Sequence, residues 1–350
     1  MIRNGRYCTL AFLLAWCRVV VLAADGPPHV VVVLIDDLGA HDLACYGSDL
    51  HETPNIDQLA QEGVLFTAAY ASSTVCTPSR AGYLTGQHPA RLGMTIWHEA
   101  AAKGPNPDER LLPPPSVADL PLGPRTLAEV LKDAGYRTCH VGKWHLGSAL
   151  NCPFSHGFDL IVRGSHWGAP ATFFWPYRGF AHGEMREVPD LPGGAKGEYL
   201  TDRLTDEAIA WLRKAGEAPL FLNLCFHSVH TPIEGRPDLV EYYEQKLARG
   251  PPDRQGRADY AAMVHSVDQN VGRVVEALDQ LGMNENTLLI VISDNGGCVN
   301  RTSSGVPTSN APLRSGKGSL YEGGVRVPLI VRWPKNARAG ATCQAPVVAH

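Results

Sequence analysis

Two acidic pairs stand directly after runs of β-branched residues. Asp36-Asp37 follows His29 to Ile35 (HVVVVLI), and Asp294-Asn295 follows Thr287 to Ile292 (TLLIVI) with Ser293 between. Adjacent carboxylates at a strand end repel each other unless a cation compensates. Three carboxylates and a carboxamide, without His or Cys among them, form a hard oxygen set that suits Ca²⁺ or Mg²⁺ rather than zinc. Turns and helix caps use Asp-Asp and Asp-Asn-Gly routinely, so either pair alone reads as a turn. The two pairs together point to a metal site.

A second group is built around Cys76-Thr77-Pro78-Ser79-Arg80, which runs on into Ala-Gly-Tyr-Leu-Thr-Gly. Pro78 and the residues after it predict that a helix starts here. Cys76 then lies at the positive end of a helix dipole, where anions bind. Arg80, four residues on, can reach back to the same point as an anion clamp. A bare Cys beside a helix cap is ordinarily structural. Lys143 and His145 alternate two apart after another strand, so they can share one face of an extended segment. His230 and Lys317 lie in loops, where a solvated or locally satisfied side chain is the default. His227, three residues before His230, has no matched role and is read as structural.

The elements that must position these residues alternate. His29–Ile35 is a continuous apolar run, as in a strand buried on both faces of a parallel sheet. Thr53 is expected to cap a helix through Ala60 with Pro54 in its first turn. A helix from Thr126 to Ala134 is closed by Gly135, and a strand over 136–141 follows. Residues 151–200 are aromatic and rich in Gly and Pro, and read as irregular loops around a site. Thr201 is expected to cap a helix to Lys214. Strands are predicted over 219–226, 287–292 and 327–331, and a long amphipathic helix carries Tyr260 to Leu278. The stretch 105–124 reads as a surface loop. This alternation predicts an α/β fold with a doubly wound, largely parallel central sheet and helices on both faces. Ligands in such folds bind at the carboxyl ends of the strands, where the polar residues above fall.

Bulk composition is that of a globular protein: 350 residues, 44% apolar and 19% charged, with net charge −4. No basic patch stands out, which argues against nucleic acid as a partner. Arg3 and Arg6, the apolar stretch Leu10 to Leu22 and the small pair Ala23-Ala24 read as a signal peptide over 1–24, with 25–350 as the mature catalytic domain. The stretch is short and holds Arg18, so a membrane anchor is the lesser reading. The location expected is secreted or periplasmic. Removing Cys8 and Cys17 would leave seven cysteines, an odd number that hints at one thiol with another fate.

Six segments, in order, give this chain a family resemblance. Cys76-x-Pro-x-Arg80 with the following Ala-Gly-x-Leu-Thr-Gly resembles the signature of the formylglycine-dependent (type I) sulfatases of the alkaline phosphatase superfamily, arylsulfatases among them. Asp36-Asp37-Leu38-Gly39, Gly142-Lys143-Trp144-His145-Leu146-Gly147, Val229-His230-Thr231-Pro232, Ser293-Asp294-Asn295-Gly296-Gly297 and Gly316-Lys317-Gly318 with Tyr321 to Arg326 resemble the family's remaining motifs. Each is modest evidence alone; their order is specific. The resemblance covers roughly Val30 to Pro334.

The resemblance implies that Cys76 is oxidised to formylglycine by a maturation enzyme. It implies that Asp36, Asp37, Asp294, Asn295 and the modified Cys76 hold Ca²⁺, with Mg²⁺ the alternative. Arg80 would steady the site. His145 would act as base, Lys143 and Lys317 would bind sulfate oxygens, and His230, aided by Lys317, would protonate the leaving oxygen. Ser165 is a looser match as a substrate donor. The substrate implied is a sulfate ester of a carbohydrate or an aryl group. The alternatives are a phosphomonoester or phosphonate hydrolase of the same superfamily and an anion-binding relative without turnover. Aromatic residues in 166–180 either stack on a sugar or pack locally. Family members continue with a smaller C-terminal subdomain. The expectation is that this chain, ending at His350, lacks it and exposes an apolar face where it would dock.

Overall fold

The computed structural model describes residues 26–350 apart from 107, 109, 164, 165, 182, 190, 192, 215, 252–255, 303 and 304. The expected signal peptide and Ser165 therefore lie outside the described residues. The first half of the chain gives β1 (His29–Ile35), α1 (Pro54–Glu62), β2 (Val64–Phe66), β3 (Ala69–Tyr70), α2 (Cys76–Thr85), α3 (His98–Lys103), α4 (Leu127–Asp133), β4 (Arg137–Gly142), β5 (Leu160–Arg163), β6 (Arg178–Ala181) and β7 (Glu184–Glu187). The second half gives α5 (Leu200–Arg213), β8 (Leu220–Cys225), α6 (Pro237–Arg249), α7 (Ala258–Gln280), β9 (Thr287–Ser293), α8 (Glu322–Val325), β10 (Leu329–Arg332), β11 (Ala341–Cys343) and β12 (Val347–Val348).

The main sheet runs β11-β2-β10-β9-β1-β8-β4-β5. From β9 to β5 every neighbouring pair is parallel. β10 is antiparallel to both β9 and β2. The doubly wound, largely parallel sheet expected from the alternation is thus present, with one reversed strand. The apolar run of β1 has its reason in the two cores. Val31, Val33 and Ile35 pack with Ile56 and Leu59 of α1, Leu204 of α5 and Met263 and Val267 of α7. Val32 and Leu34 point the other way, onto Ala81 and Leu84 of α2 and Ala128 of α4. Each such side chain contributes at most about 1.5–3 kcal/mol on burial, so β1 is held from both faces.

Register brings the strand ends level. Ile35 lies opposite Ser293, Leu34 opposite Cys225, and Cys225 opposite Gly142. Residues 36–37, 294–295, 226–230 and 143–145 consequently leave the sheet along one edge, on either side of β1.

Several local expectations are corrected. Thr53 precedes α1, but its hydroxyl makes no cap; it donates to Asp57 at 3.0 Å and accepts from Ala44 N–H at 2.9 Å. Thr201 lies inside α5, where its hydroxyl meets that of Ser228 at 2.6 Å. Tyr199 holds the cap position because its backbone is engaged with Phe174. Residues 151–200 are not wholly irregular. They supply β5, an edge strand of the main sheet, and the β6–β7 hairpin. α6 escaped the periodicity because only Leu239 and Tyr243 are buried on it, too narrow a stripe to read. The capping box of α4, Thr126 with Glu129, is formed as expected, and Gly135 closes that helix with φ +88°.

The turn out of β4 depends on a glycine. Gly142 has φ +94°, and a Cβ there would lie 2.0 Å from the Cys225 carbonyl oxygen. That oxygen also accepts the Lys143 N–H at 2.8 Å. Gly142→Ala is therefore expected to destabilise the protein by at least about 2 kcal/mol, seen as a lower urea midpoint. An unchanged midpoint would refute the steric requirement.

Candidate active site

Three buried carboxylates meet three cations at this sheet edge, Arg80 and Lys143 buried and Lys317 partly exposed. Arg80, on the second turn of α2 and 2% exposed, donates from Nε to Asp294 Oδ2 at 2.9 Å and lies 2.8 Å from the same oxygen through a terminal nitrogen. The guanidinium also approaches Asp36 Oδ1 at 3.7 Å, and its remaining nitrogen donates to the Lys143 carbonyl at 3.1 Å. Lys143 Nζ pairs with Asp36 Oδ2. Lys317 Nζ reaches both oxygens of Asp37, at 2.7 and 2.8 Å. The Lys317 loop is itself fastened: its N–H donates to Gly297 O at 3.0 Å, and Gly318 N–H donates to Thr74 O at 2.8 Å.

Cys76 is the first residue of α2 and 2% exposed. Its thiol lies 3.6 Å from Asp36 Oδ1. Burial opposes a thiolate here, but Lys143 and Lys317 outweigh it and bring the thiol down to about 7. His230 Nε2 stands 3.6 Å from Asp37 Oδ2. Burial and Lys317 push that imidazole down; Asp37 and Asp36 prevail, so it lies above its ordinary value.

The donor set fits a divalent cation. Ligand atoms of Asp36, Asp37, Cys76 and His230 all lie within 4.8 Å of one another. Asn295 donates to Asp37 Oδ1 at 2.7 Å, which turns its own Oδ1 inward; that oxygen is buried without a partner among the described residues. Burial pushes the Asp36 carboxyl up to about 8 despite Lys143, with Asp294 adding to the push. Arg80, Lys143 and Lys317 already match the three carboxylates, so the fit to a cation rests on the convergent oxygens and on the Asn295 Oδ1 left without a partner among the described residues. His230 belongs to this cluster geometrically, although the sequence placed it with the substrate.

His145 turns elsewhere. Its φ of +56° breaks the extended segment expected to align it with Lys143. Lys143 faces Asp36, whereas His145 Nε2 lies 2.9 Å from Glu99 Oε2 on α3. Burial lowers the His145 imidazole to about 4. Glu99 was missed by sequence reasoning, since nothing local marks a carboxylate 46 residues from its partner. His227 is buried with neither ring nitrogen partnered among the described residues. Most of the aromatic loop packs locally: Phe173 stacks on Tyr199, and Tyr177 is buried with its hydroxyl on Glu198. Trp167 remains half-buried, under the Arg186 guanidinium at 4.8 Å. The seven described cysteines are all free thiols, and no described helix is long and apolar enough to cross a membrane.

A mostly parallel α/β sheet with acidic residues at the ends of β1 and β9 and a helix start between them is the alkaline phosphatase-like class of hydrolase fold. The sulfatase family model matches residues 28–350, and the chain belongs to the sulfatase family. It is 34% identical to the N-acetylgalactosamine-6-sulfatase of Canis lupus familiaris, over 93% of this chain and 62% of that protein. It is 32% identical to the steryl-sulfatase of Mus musculus, over 96% and 64%. The crystal structure of Ps i-CgsB in complex with k-i-k-neocarrahexaose superposes with TM-score 0.73 at 31% identity, over 93% of this chain and 70% of that one. The chain thus spans about six tenths of the length of these curated relatives.

Arg80 is the cation that touches the acidic residues of both β1 and β9. Arg80→Ala is expected to cost about 3–5 kcal/mol, because two carboxylates then stay buried with less compensation. Denaturant unfolding would measure this; a loss below about 1 kcal/mol would show that the carboxylates do not depend on it.

Proposed function

We propose that the protein hydrolyses sulfate esters, of carbohydrates or aryl groups, and that Cys76 is the precursor of its nucleophile. The observation that carries this reading is the placement of Cys76 at the start of α2, beside Asp36 and facing the ammonium groups of Lys143 and Lys317. A sulfate monoester is an anion, and its reaction needs a nucleophile, charge neutralisation and a proton for the leaving oxygen. The relatives named for N-acetylgalactosamine 6-sulfate and the neocarrahexaose complex favour a sulfated sugar.

An unmodified thiol suits this poorly, because a sulfur-bound sulfate has no easy internal exit. Conversion of Cys76 to formylglycine would supply a hydrated aldehyde with two hydroxyls, one to attack sulfur and one to release sulfate. A divalent cation, Ca²⁺ by the all-oxygen donor set, would be held by Asp36, Asp37, Asp294, Asn295 and the modified Cys76, and would supply Lewis-acid activation. Arg80 keeps Asp36 and Asp294 aimed at one point. Lys143 and Lys317 neutralise sulfate oxygens. His230, whose imidazole the carboxylates around it raise above its ordinary value against burial, hands a proton to the leaving oxygen. His145, kept neutral by burial, takes the proton from the second hydroxyl. Its contribution exists while it is unprotonated, so it fades as pH falls toward about 4. Ser165 is retained as a substrate donor. A signal peptide over 1–24 would deliver the chain to a secretory or periplasmic route, where a formylglycine-generating enzyme completes it.

Peptide mass spectrometry of the Cys76 segment, from a host that matures sulfatases, is expected to show the aldehyde in place of the thiol. Assays in parallel on aryl sulfate and aryl phosphate are expected to favour sulfate, and Cys76→Ala to abolish turnover. Chelation should remove the activity and added Ca²⁺ should restore it. An intact thiol with undiminished turnover, or a strong preference for phosphate, would sink the proposal.

A further inference from the structure

We propose that Glu99 is a positioning residue that fixes the tautomer of His145, leaving Nδ1 as the proton acceptor. The inference rests on the reading of His145 as the base. It starts from the hydrogen bond between His145 Nε2 and Glu99 Oε2, 2.9 Å long. Two oxygens of Glu99 are in use, the other accepting the Gly168 N–H at 2.9 Å. Burial pushes the Glu99 carboxyl up, but the hydrogen bonds from His145 and from the Gly168 N–H outweigh it and hold it below the usual range. An ionised carboxylate only accepts, so the proton of this bond belongs to Nε2. A neutral imidazole carries one N–H. Burial keeps this one neutral, so Nδ1 is bare. Nδ1 is also buried without a partner among the described residues. Buried acceptors are rarely left so, and a catalytic role is one of the few reasons for it.

The surroundings hold the ring in this orientation. Gly168 covers its Nε2 edge: a Cβ there would stand 2.6 Å from Cε1 and 2.9 Å from Nε2. The His145 carbonyl accepts the Thr77 hydroxyl at 3.0 Å, and that oxygen accepts the His98 N–H at 3.0 Å. Thr77 follows Cys76 and His98 precedes Glu99, so one hydroxyl ties the nucleophile's helix, the base and the residue that orients it. The other charged or titratable groups facing the ring are Lys143, Arg80, His98 at 6.3 Å between centroids, His166 and His227. None of them is hydrogen-bonded to either ring nitrogen.

Glu99→Gln tests this with little change of shape. Its carboxamide oxygen can keep the Gly168 contact, while its NH₂ would donate to Nε2 and drive the proton onto Nδ1. Nitrogen-15 NMR of histidine-labelled protein, with the signals assigned by their loss in His145→Asn, reads the tautomer without turnover. The expected result is an Nε2–H imidazole in the wild type and an Nδ1–H imidazole in Glu99→Gln. On an aryl sulfate, kcat should fall at least about 100-fold with KM little changed, the scale of a lost general base. Glu99→Asp should recover part of it. An Nδ1–H tautomer in the wild type, or Glu99→Gln with normal kcat, overturns the proposal. An inactive wild type with the Nε2–H tautomer would support the tautomer assignment and overturn the base role it serves.

Discussion

The structure depends on keeping three carboxylates out of water at one sheet edge. Asp36, Asp37 and Asp294 are each no more than 2% exposed. Stranding such charges costs several kcal/mol apiece unless cations meet them at close range. The chain answers with Arg80, Lys143 and Lys317, drawn from α2, the end of β4 and the loop before α8. Each cation therefore does two things. It neutralises a carboxylate, and it fastens a distant segment to β1 or β9. The same charges that make the fold possible leave a thiol among ammonium groups, which is the condition for anion chemistry.

Much of this was legible in the sequence because the relevant signals are local. The runs in β1 and β9 are continuous and apolar, as two-sided burial requires, and polar pairs end them. Cys76 and Arg80 sit one helical turn apart, so a helix alone brings them toward one point. Given an α/β alternation, the strand-end rule then gathers Asp36, Lys143, His230 and Asp294 without knowledge of the register.

What escaped depends on contacts between segments that carry no mark of their own. Thr201 looked like a cap, but Tyr199 was already engaged with Phe174, so the helix began earlier. His145 follows Lys143 at an alternating spacing, yet a positive φ sends the two side chains to different partners. Glu99 lies in a short Ala-rich helix that reads as surface. Only the three-dimensional path brings it to His145. For the aromatic residues in 166–180 the sequence left stacking and local packing both open. Phe173 and Tyr177 are core, because the backbone of 173–177 is hydrogen-bonded to Val188, Glu198 and Leu200.

The burial of Cys76 has a consequence in time rather than in space. Its walls come from residues near 36, 143, 230 and 317, so no short fragment encloses it. While the chain is being made, the thiol stays open to other macromolecules until the segment bearing Lys317 has arrived and docked. Afterwards a 2% exposed side chain is out of reach of any protein-sized catalyst. Whatever is done to this cysteine by another enzyme must be done before the sheet closes.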